Sequence, residues 1–147
     1  GKGFLVDLVG KLLEHSGINS YCIDAGGDIL LQSEDTLKVG LEHPENLKQV
    51  IGVAEIQNQS ICGSSGNRRK WRNFHHIFNP STLESINDVL AVWVVADNGL
   101  LADCLSTCLF FSEAEKLETH FKFEYLIVYP DYSFKKSPNF KAEIYYN

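Results

Sequence analysis

The chain has 147 residues, which is the size of one domain with a hydrophobic core of its own. Hydrophobic residues make up 44% and charged residues 22%, the ordinary balance of a globular protein and not of a disordered one. The net charge of −6 argues against a nucleic-acid-binding surface, and no apolar run is long enough to cross a bilayer.

Helices and strands follow from the spacing of the apolar residues. Helical spacing predicts a first helix over residues 4–15, and Gly17 is placed to end it. Extended patterns predict strands over residues 20–25, 29–32, 37–42, 49–56, 60–62, 75–78, 89–96, 125–129 and 142–146. Further helices are predicted over 101–111 and, from a capping box at Ser112 and Glu115, over 113–120. This order indicates one α+β domain over 1–147 with mainly antiparallel strands.

The four cysteines do not form a metal-binding or disulfide pattern. No two have the spacing Cys-x-x-Cys, and Cys104 and Cys108 are poorly placed for a disulfide on a helix. We expect all four to be buried thiols that act as small apolar side chains. The chain begins Gly1-Lys2-Gly3 and contains no Met, so we expect a processed chain or a fragment.

The helix predicted over 101–111 carries two oxygen-bearing side chains on one face. Asp103 and Thr107 lie four residues apart and therefore stack. A carboxylate and a hydroxyl held side by side can supply two hard oxygen ligands to Mg²⁺. Spacing alone favours a simpler interpretation, in which Asp103 suits a first helical turn and Thr107 is an ordinary helix residue.

The most polar stretch begins at Gly63-Ser64 and continues into three cations, Arg68, Arg69 and Lys70. Glycines allow backbone N–H groups to approach a phosphate, and the cations favour an anion. No Gly-Lys-Ser/Thr follows, so the stretch is not a P-loop. A solvated hairpin loop explains it equally well.

Two adjacent histidines, His75 and His76, begin a predicted strand. Neighbouring side chains in a strand face opposite sides, so at most one of the two reaches a given site. A histidine can act as a general base near neutral pH, although a structural or surface histidine is the commoner case.

The Gly26-Gly27-Asp28 stretch lacks the third glycine of a dinucleotide-binding fingerprint and leads into a strand. It therefore predicts a tight turn that needs small residues, with Asp28 placed to face a ligand.

Four stretches in this order resemble the FAD:protein FMN transferase family, the ApbE-type flavin transferases. They are residues 1–7, with Lys-Gly-aromatic-x-x-Asp; 24–29, with Gly-Gly-Asp; 75–82, with His-His-Ile-x-Asn-Pro-x-Thr; and 102–110, with Ala-Asp-x-x-Ser-Thr-x-x-Phe. The resemblance covers essentially the whole chain and is to the family's C-terminal portion, because the family's large N-terminal part is absent. Leu83 and Cys62 stand where the family usually has Gly and Ser.

The resemblance implies an ApbE-like α+β fold and an enzyme that transfers FMN from FAD to a Ser or Thr hydroxyl of a target flavoprotein, releasing AMP. It implies that Asp103 and Thr107 hold Mg²⁺ with Gly1 near the metal, and that His76 assists the acceptor hydroxyl. The remaining candidates for contacts to FAD or for orienting the site are Asp7, Asp28, Gly63 and Ser64.

Two other functions fit the same resemblance. One is a degenerate module that binds flavin or docks to a protein without activity, which the missing N-terminal part favours. The other is an FAD diphosphatase, in which water replaces the acceptor hydroxyl. The family implies the bacterial cell envelope or periplasm, with the cytoplasm as the alternative.

Three structural expectations follow. Asp103 and Thr107 should face one polar cavity with Gly1 near its rim. His76 should point into that cavity and His75 away from it. The chain alone should fold but transfer FMN poorly, and an exposed apolar surface should favour a homodimer or binding of the missing N-terminal part.

Overall fold

The computed structural model of the protein describes residues 1–66, 70–71, 74–75 and 87–145. These contain three helices, α1 (Lys2–His15), α2 (Gly99–Cys108) and α3 (Ala114–Glu118). The strands are β1 (Tyr21–Asp24), β2 (Ile29–Gln32), β3 (Leu37–His43), β4 (Asn46–Ile56), β5 (Ser60–Ser65), β6 (Lys70–Trp71), β7 (Phe74–His75), β8 (Ala91–Ala96), β9 (Glu124–Val128), β10 (Phe134–Lys136) and β11 (Ala142–Ile144).

The described elements form three layers around an antiparallel sheet of six strands, in the order β1-β2-β5-β8-β9-β10. A smaller antiparallel sheet, β11-β4-β3, packs on one face of this large sheet through one apolar cluster. Helices α2 and α3 pack on the other face through a second cluster. The predicted α+β class with mainly antiparallel strands is confirmed.

Strand β8 lies in the middle of the molecule and is buried on both faces. Val92 and Val94 belong to the cluster on the helix side, whereas Trp93 and Val95 belong to the cluster under the small sheet. Because successive side chains of a strand alternate between the faces, both sets must be apolar. This explains the continuous apolar run that predicted a strand here.

Helices α1 and α2 meet at two glycines that allow close approach. A side-chain carbon added at Gly3 would lie 2.1 Å from the carbonyl oxygen of Gly99, and one added at Gly99 would lie 2.8 Å from that of Gly3. Neither position accepts a larger residue without moving a helix. The close contact places the first turn of α1 beside the first turns of α2.

Helix α1 exposes a large apolar surface. Its exposed side chains are Phe4, Leu5, Leu8, Val9 and Leu12, with exposed fractions between 38% and 66%. This is the exposed apolar surface expected from the sequence. Among the described residues, no helix has the length and apolar character needed to cross a membrane.

The expectation that all four cysteines are buried is wrong for three of them. Cys62 is buried, but the exposed cysteines are Cys22, Cys104 and Cys108. Only the stripe of α2 that contains Ala102 and Leu105 packs against the large sheet, so the two cysteines of this helix lie outside the contact.

The capping box predicted at Ser112 is also wrong. Helix α3 begins after Glu113, and no side chain caps it. The helix is correspondingly short, with five residues where the sequence predicted eight. A local motif reports only a tendency to start a helix, and the tertiary packing decides where the helix forms.

Candidate functional site

The carboxylate of Asp103 lies where the first turn of α1 meets α2. Its Oδ2 atom accepts a hydrogen bond of 2.9 Å from the backbone N–H of Gly3. First-turn N–H groups of a helix have no acceptor within the helix and favour a negative charge. No hydrogen bond from a described residue reaches Oδ1, the other oxygen of this half-buried side chain. Asp103 is therefore held at one oxygen, while no described donor occupies the other.

Gly1 and Thr107 both lie next to Asp103, Gly1 at its carboxylate and Thr107 at its backbone carbonyl. A side-chain carbon added at Gly1 would lie 2.8 Å from Asp103 Oδ2, so the Gly1 backbone is next to the carboxylate. Thr107 is exposed, and its hydroxyl donates to the backbone carbonyl of Asp103 at 3.4 Å. The structure thus brings the three predicted metal-site residues to one junction of the fold.

The donor atoms at this junction fit Mg²⁺ chemically. The carboxylate oxygen of Asp103 that no described donor uses, the hydroxyl of the exposed Thr107 and the backbone carbonyl of Gly1 are all hard oxygen ligands, the type that Mg²⁺ prefers. No group of three or more His, Cys, Asp or Glu side chains suited to a metal occurs within the described ranges. A metal here would accordingly keep several waters or bind oxygens of a substrate.

Asp7 fixes the start of α2. Its Oδ1 accepts from the N–H of Gly99 at 2.7 Å and its Oδ2 from that of Leu100 at 2.8 Å. The side chain of Asn98 completes the cap by accepting from Leu101 N–H at 2.9 Å. Because both Asp7 oxygens are used in this way, its geometry suits orienting the helix that carries Asp103.

Asp28 is 3% exposed and forms an ion pair with Lys2, whose Nζ lies 2.9 Å from Oδ2. This contact is an ion pair by distance and not a hydrogen bond, since Oδ2 has no hydrogen-bond donor in the described part of the chain. Lys2 Nζ donates to the carbonyl of Ala25 at 3.4 Å. The pair therefore ties the start of α1 to the β1–β2 turn, and it is the charge of Lys2 that compensates for burying the carboxylate.

Gly63 and Ser64 line a cleft of about 1280 Å³ between β3 and the β1–β5 end of the large sheet. Gly26 and Gly27 of the β1–β2 turn line it as well. A side-chain carbon at Gly63 would lie 2.9 Å from the indole nitrogen of Trp93, so only glycine fits against this ring. Neither Asp7 nor Asp28 is part of the described cleft wall.

A pair of hydroxyls connects the cleft wall to α2. Ser106 Oγ donates to the carbonyl of Asp103 at 2.9 Å and lies 2.8 Å from Ser64 Oγ. Since the Ser106 proton is used on the carbonyl, Ser64 is the donor between the two hydroxyls. Ser106 is 1% exposed, and this contact gives it a role that the sequence analysis missed.

Cys62 lies near two carboxylates of the candidate site, those of Asp28 and Asp103. Burial raises the pKa of its thiol, and the negative charges of Asp28 and Asp103 raise this pKa further. The thiol therefore stays protonated at neutral pH and is a poor nucleophile. Having Cys62 where the family usually has Ser therefore adds no reactive group to the site.

His76, the predicted catalytic residue, lies outside the described residues, as do Arg68 and Arg69. His75 belongs to β7, and the side chains of this strand are likewise outside the description. The orientations expected for the two histidines stay predictions.

Known proteins resemble this chain in both sequence and fold. The ApbE family profile matches residues 1–126. The FAD:protein FMN transferase of Escherichia coli K12 is 27% identical, with 97% of this chain and 45% of the relative aligned. The protein of the same name from Chlamydia muridarum is 31% identical, with 80% of this chain and 39% of the relative aligned. The chain thus spans less than half the length of these curated relatives.

Solved structures agree with the sequence matches. The ApbE protein of Thermotoga maritima superimposes with a TM-score of 0.82 at 22% identity, over 93% of this chain and 49% of its own. The flavin transferase ApbE of Vibrio cholerae superimposes with a TM-score of 0.73 at 26% identity, over 92% of this chain and 47% of its own. With a profile match over most of its length and this shared fold, the chain belongs to the ApbE family.

Proposed function

We propose that this chain forms the metal-binding and phosphate-facing part of an FAD:protein FMN transferase. In this reaction a Ser or Thr oxygen of a target flavoprotein attacks the phosphorus that carries the FMN moiety. A new P–O bond forms, the P–O bond to AMP breaks, AMP leaves, and the hydroxyl proton is lost. The products are FMN esterified to the protein and free AMP.

The observation that carries the proposal is the carboxylate of Asp103, held by Gly3 N–H at one oxygen and used by no described donor at the other. When bound, Mg²⁺ would neutralise negative charge on the diphosphate. Asp103 and Thr107 would hold it together with the backbone at Gly1. Asp7 keeps α2 in place, so the two side chains stay aligned without help from the ligand.

Two further groups have proposed parts in the reaction. Gly63 and Ser64 line the cleft, and their backbone is suited to a phosphate or to the flavin, whereas the Ser64 hydroxyl is used on Ser106. His76 is proposed to accept the acceptor's proton, as its place in the family pattern implies.

The exposed apolar surface of α1 bears on how the activity is tested. We propose that further polypeptide of the family fold, or a second copy of the chain, packs on this surface. FAD needs a pocket that buries most of its surface, so we expect little transfer by residues 1–147 alone and full transfer by the complete natural protein.

The proposal is tested by incubating the complete protein with FAD, Mg²⁺ and a flavoprotein that offers a Ser or Thr. We expect the acceptor's mass to rise by one esterified FMN and an equal amount of AMP to appear. Free FMN with AMP and an unmodified acceptor would identify an FAD diphosphatase instead. Binding of FAD without any AMP would identify a module without activity, and both of these outcomes contradict the transferase proposal.

A further inference from the structure

The backbone carbonyl of Asp103 accepts hydrogen bonds from two side-chain hydroxyls. Ser106 Oγ donates to it at 2.9 Å, whereas the Thr107 hydroxyl lies at 3.4 Å. A serine inside a helix often donates to a carbonyl of the preceding turn, and such a bond alone is only local. Here Ser106 also accepts from the Ser64 hydroxyl of β5 at 2.8 Å. This second bond links the turn of α2 that carries Asp103 to the large sheet.

The link fixes the rotation of α2 on the sheet. The neighbouring side chains of the helix that pack on the sheet, Ala102 and Leu105, are apolar. Apolar contacts are non-directional, so they hold the helix on the sheet without defining its rotation. A hydrogen bond weakens steeply when its angle changes. Because Ser106 is 1% exposed, losing Ser64 as a partner would leave a buried hydroxyl without its donor, which is unfavourable.

A rotation of α2 would displace the carboxylate of Asp103. A side-chain atom at the surface of a helix lies about 5–6 Å from the helix axis, so a rotation of roughly 10° moves it by about 1 Å. The bond from Gly3 N–H to Asp103 Oδ2 is 2.9 Å long, and lengthening it by that much would break it. In a reacting site, a misplacement of about 1 Å costs on the order of a hundredfold in rate.

We propose that Ser106 is a positioning residue, which keeps Asp103 at the metal site by tying α2 to Ser64. This rests on the proposed function, in which Asp103 binds the metal. Asp7 fixes the start of α2 from the side of α1, and the two hydroxyls fix the following turn from the side of β5. Since Ser64 belongs to the cleft wall, the same bond sets the position of the metal site relative to the cleft.

The first test reads the position of Asp103 without any metal. In the isotopically labelled complete protein, hydrogen exchange of the Gly3 amide reports its bond to Asp103. Ser106→Ala should make this amide exchange about tenfold faster and shift its NMR signal. The matched control, Ser60→Ala, removes a buried hydroxyl of β5 that donates to the Ile29 carbonyl at 2.6 Å. This control should lose similar stability and leave the exchange of the Gly3 amide unchanged.

The second test reads the affinity for Mn²⁺ at saturating FAD. Ser106→Ala should lower this affinity about tenfold, the loss expected when a group that orients a metal ligand is removed. Ser60→Ala should leave it unchanged. Because Ser64 is proposed to act only through Ser106, Ser64→Ala and the double variant should show the same loss as Ser106→Ala, without addition.

Unchanged exchange of the Gly3 amide in Ser106→Ala would overturn the positioning role, as would losses of Mn²⁺ affinity that add in the double variant. Equal effects of Ser60→Ala in either test would overturn it too, because general destabilisation would then be the cause. The proposed function fails in a different way. A Gly3 amide that responds as expected in a complete protein that binds no Mn²⁺ supports the positioning of Asp103 by Ser106 and contradicts Asp103 as a metal ligand.

Discussion

Replacing Asp103 by Asn should lower the rate of FMN transfer by more than about a hundredfold. Even groups that only support a metal ligand cost 10–100-fold when they are removed, and Asp103 is proposed to bind the metal directly. Asn can still accept the hydrogen bond from Gly3 N–H, so the junction of α1 and α2 should stay folded. The measurement is the initial rate of acceptor flavinylation by the complete protein at saturating FAD and Mg²⁺.

The matched control is Asp97→Asn, which removes an exposed carboxylate just before the same helix. This variant should retain the rate of the unaltered protein. Equal thermal stability of both variants excludes unfolding as the cause of a lost rate. Turnover by Asp103→Asn at the level of Asp97→Asn would remove Asp103 from the mechanism.

Replacing Lys2 by Met should cause the largest loss of stability among single surface changes on α1. The substitution leaves the carboxylate of Asp28 buried at 3% exposure without its cation. Leaving a buried charged group unpaired costs several kcal/mol, and the half-exposed position of Lys2 reduces this to about 1–3 kcal/mol. The measurement is the free energy of unfolding from urea denaturation at neutral pH.

A second substitution tests whether the charge of Asp28 causes that loss. Lys2→Met combined with Asp28→Leu removes both charges and should regain most of the stability, because no buried charge remains. Lys11→Met, on the exposed side of the same helix, should have almost no effect. A double variant less stable than Lys2→Met alone would show that the ion pair does not explain the role of Lys2.

The parts of the site that are local in sequence were predictable. The spacing of Asp103 and Thr107 places them on one helix, and the helix is present as α2. Their proximity to Gly1 rests on a contact across almost the whole chain, which only the family resemblance implied. The capping of α2 by Asp7 and the hydroxyl pair of Ser64 and Ser106 are similarly long-range, and no local pattern encodes them.

The strands also differ in whether a local pattern predicts them or long-range contacts determine them. Strand β8 was recognisable because burial on both faces demands an unbroken apolar run. Strand β5 extends to Ser65, beyond its predicted end at Cys62, because pairing with β8 supports residues that are polar or lack a side chain. Tertiary hydrogen bonds overrode local propensity there, and the predicted loop at Gly63 became part of the cleft wall.

The most direct test of the central claim is the binding of Mn²⁺ to the complete protein in the presence of FAD, followed by electron paramagnetic resonance. If the junction of α1 and α2 is a metal site for the diphosphate, the unaltered protein and Asp97→Asn should bind Mn²⁺ and release it to excess Mg²⁺. With the Asp103→Asn variant at the same concentrations, the Mn²⁺ signal should remain that of the free ion. Binding by Asp103→Asn equal to that of the unaltered protein would contradict the account.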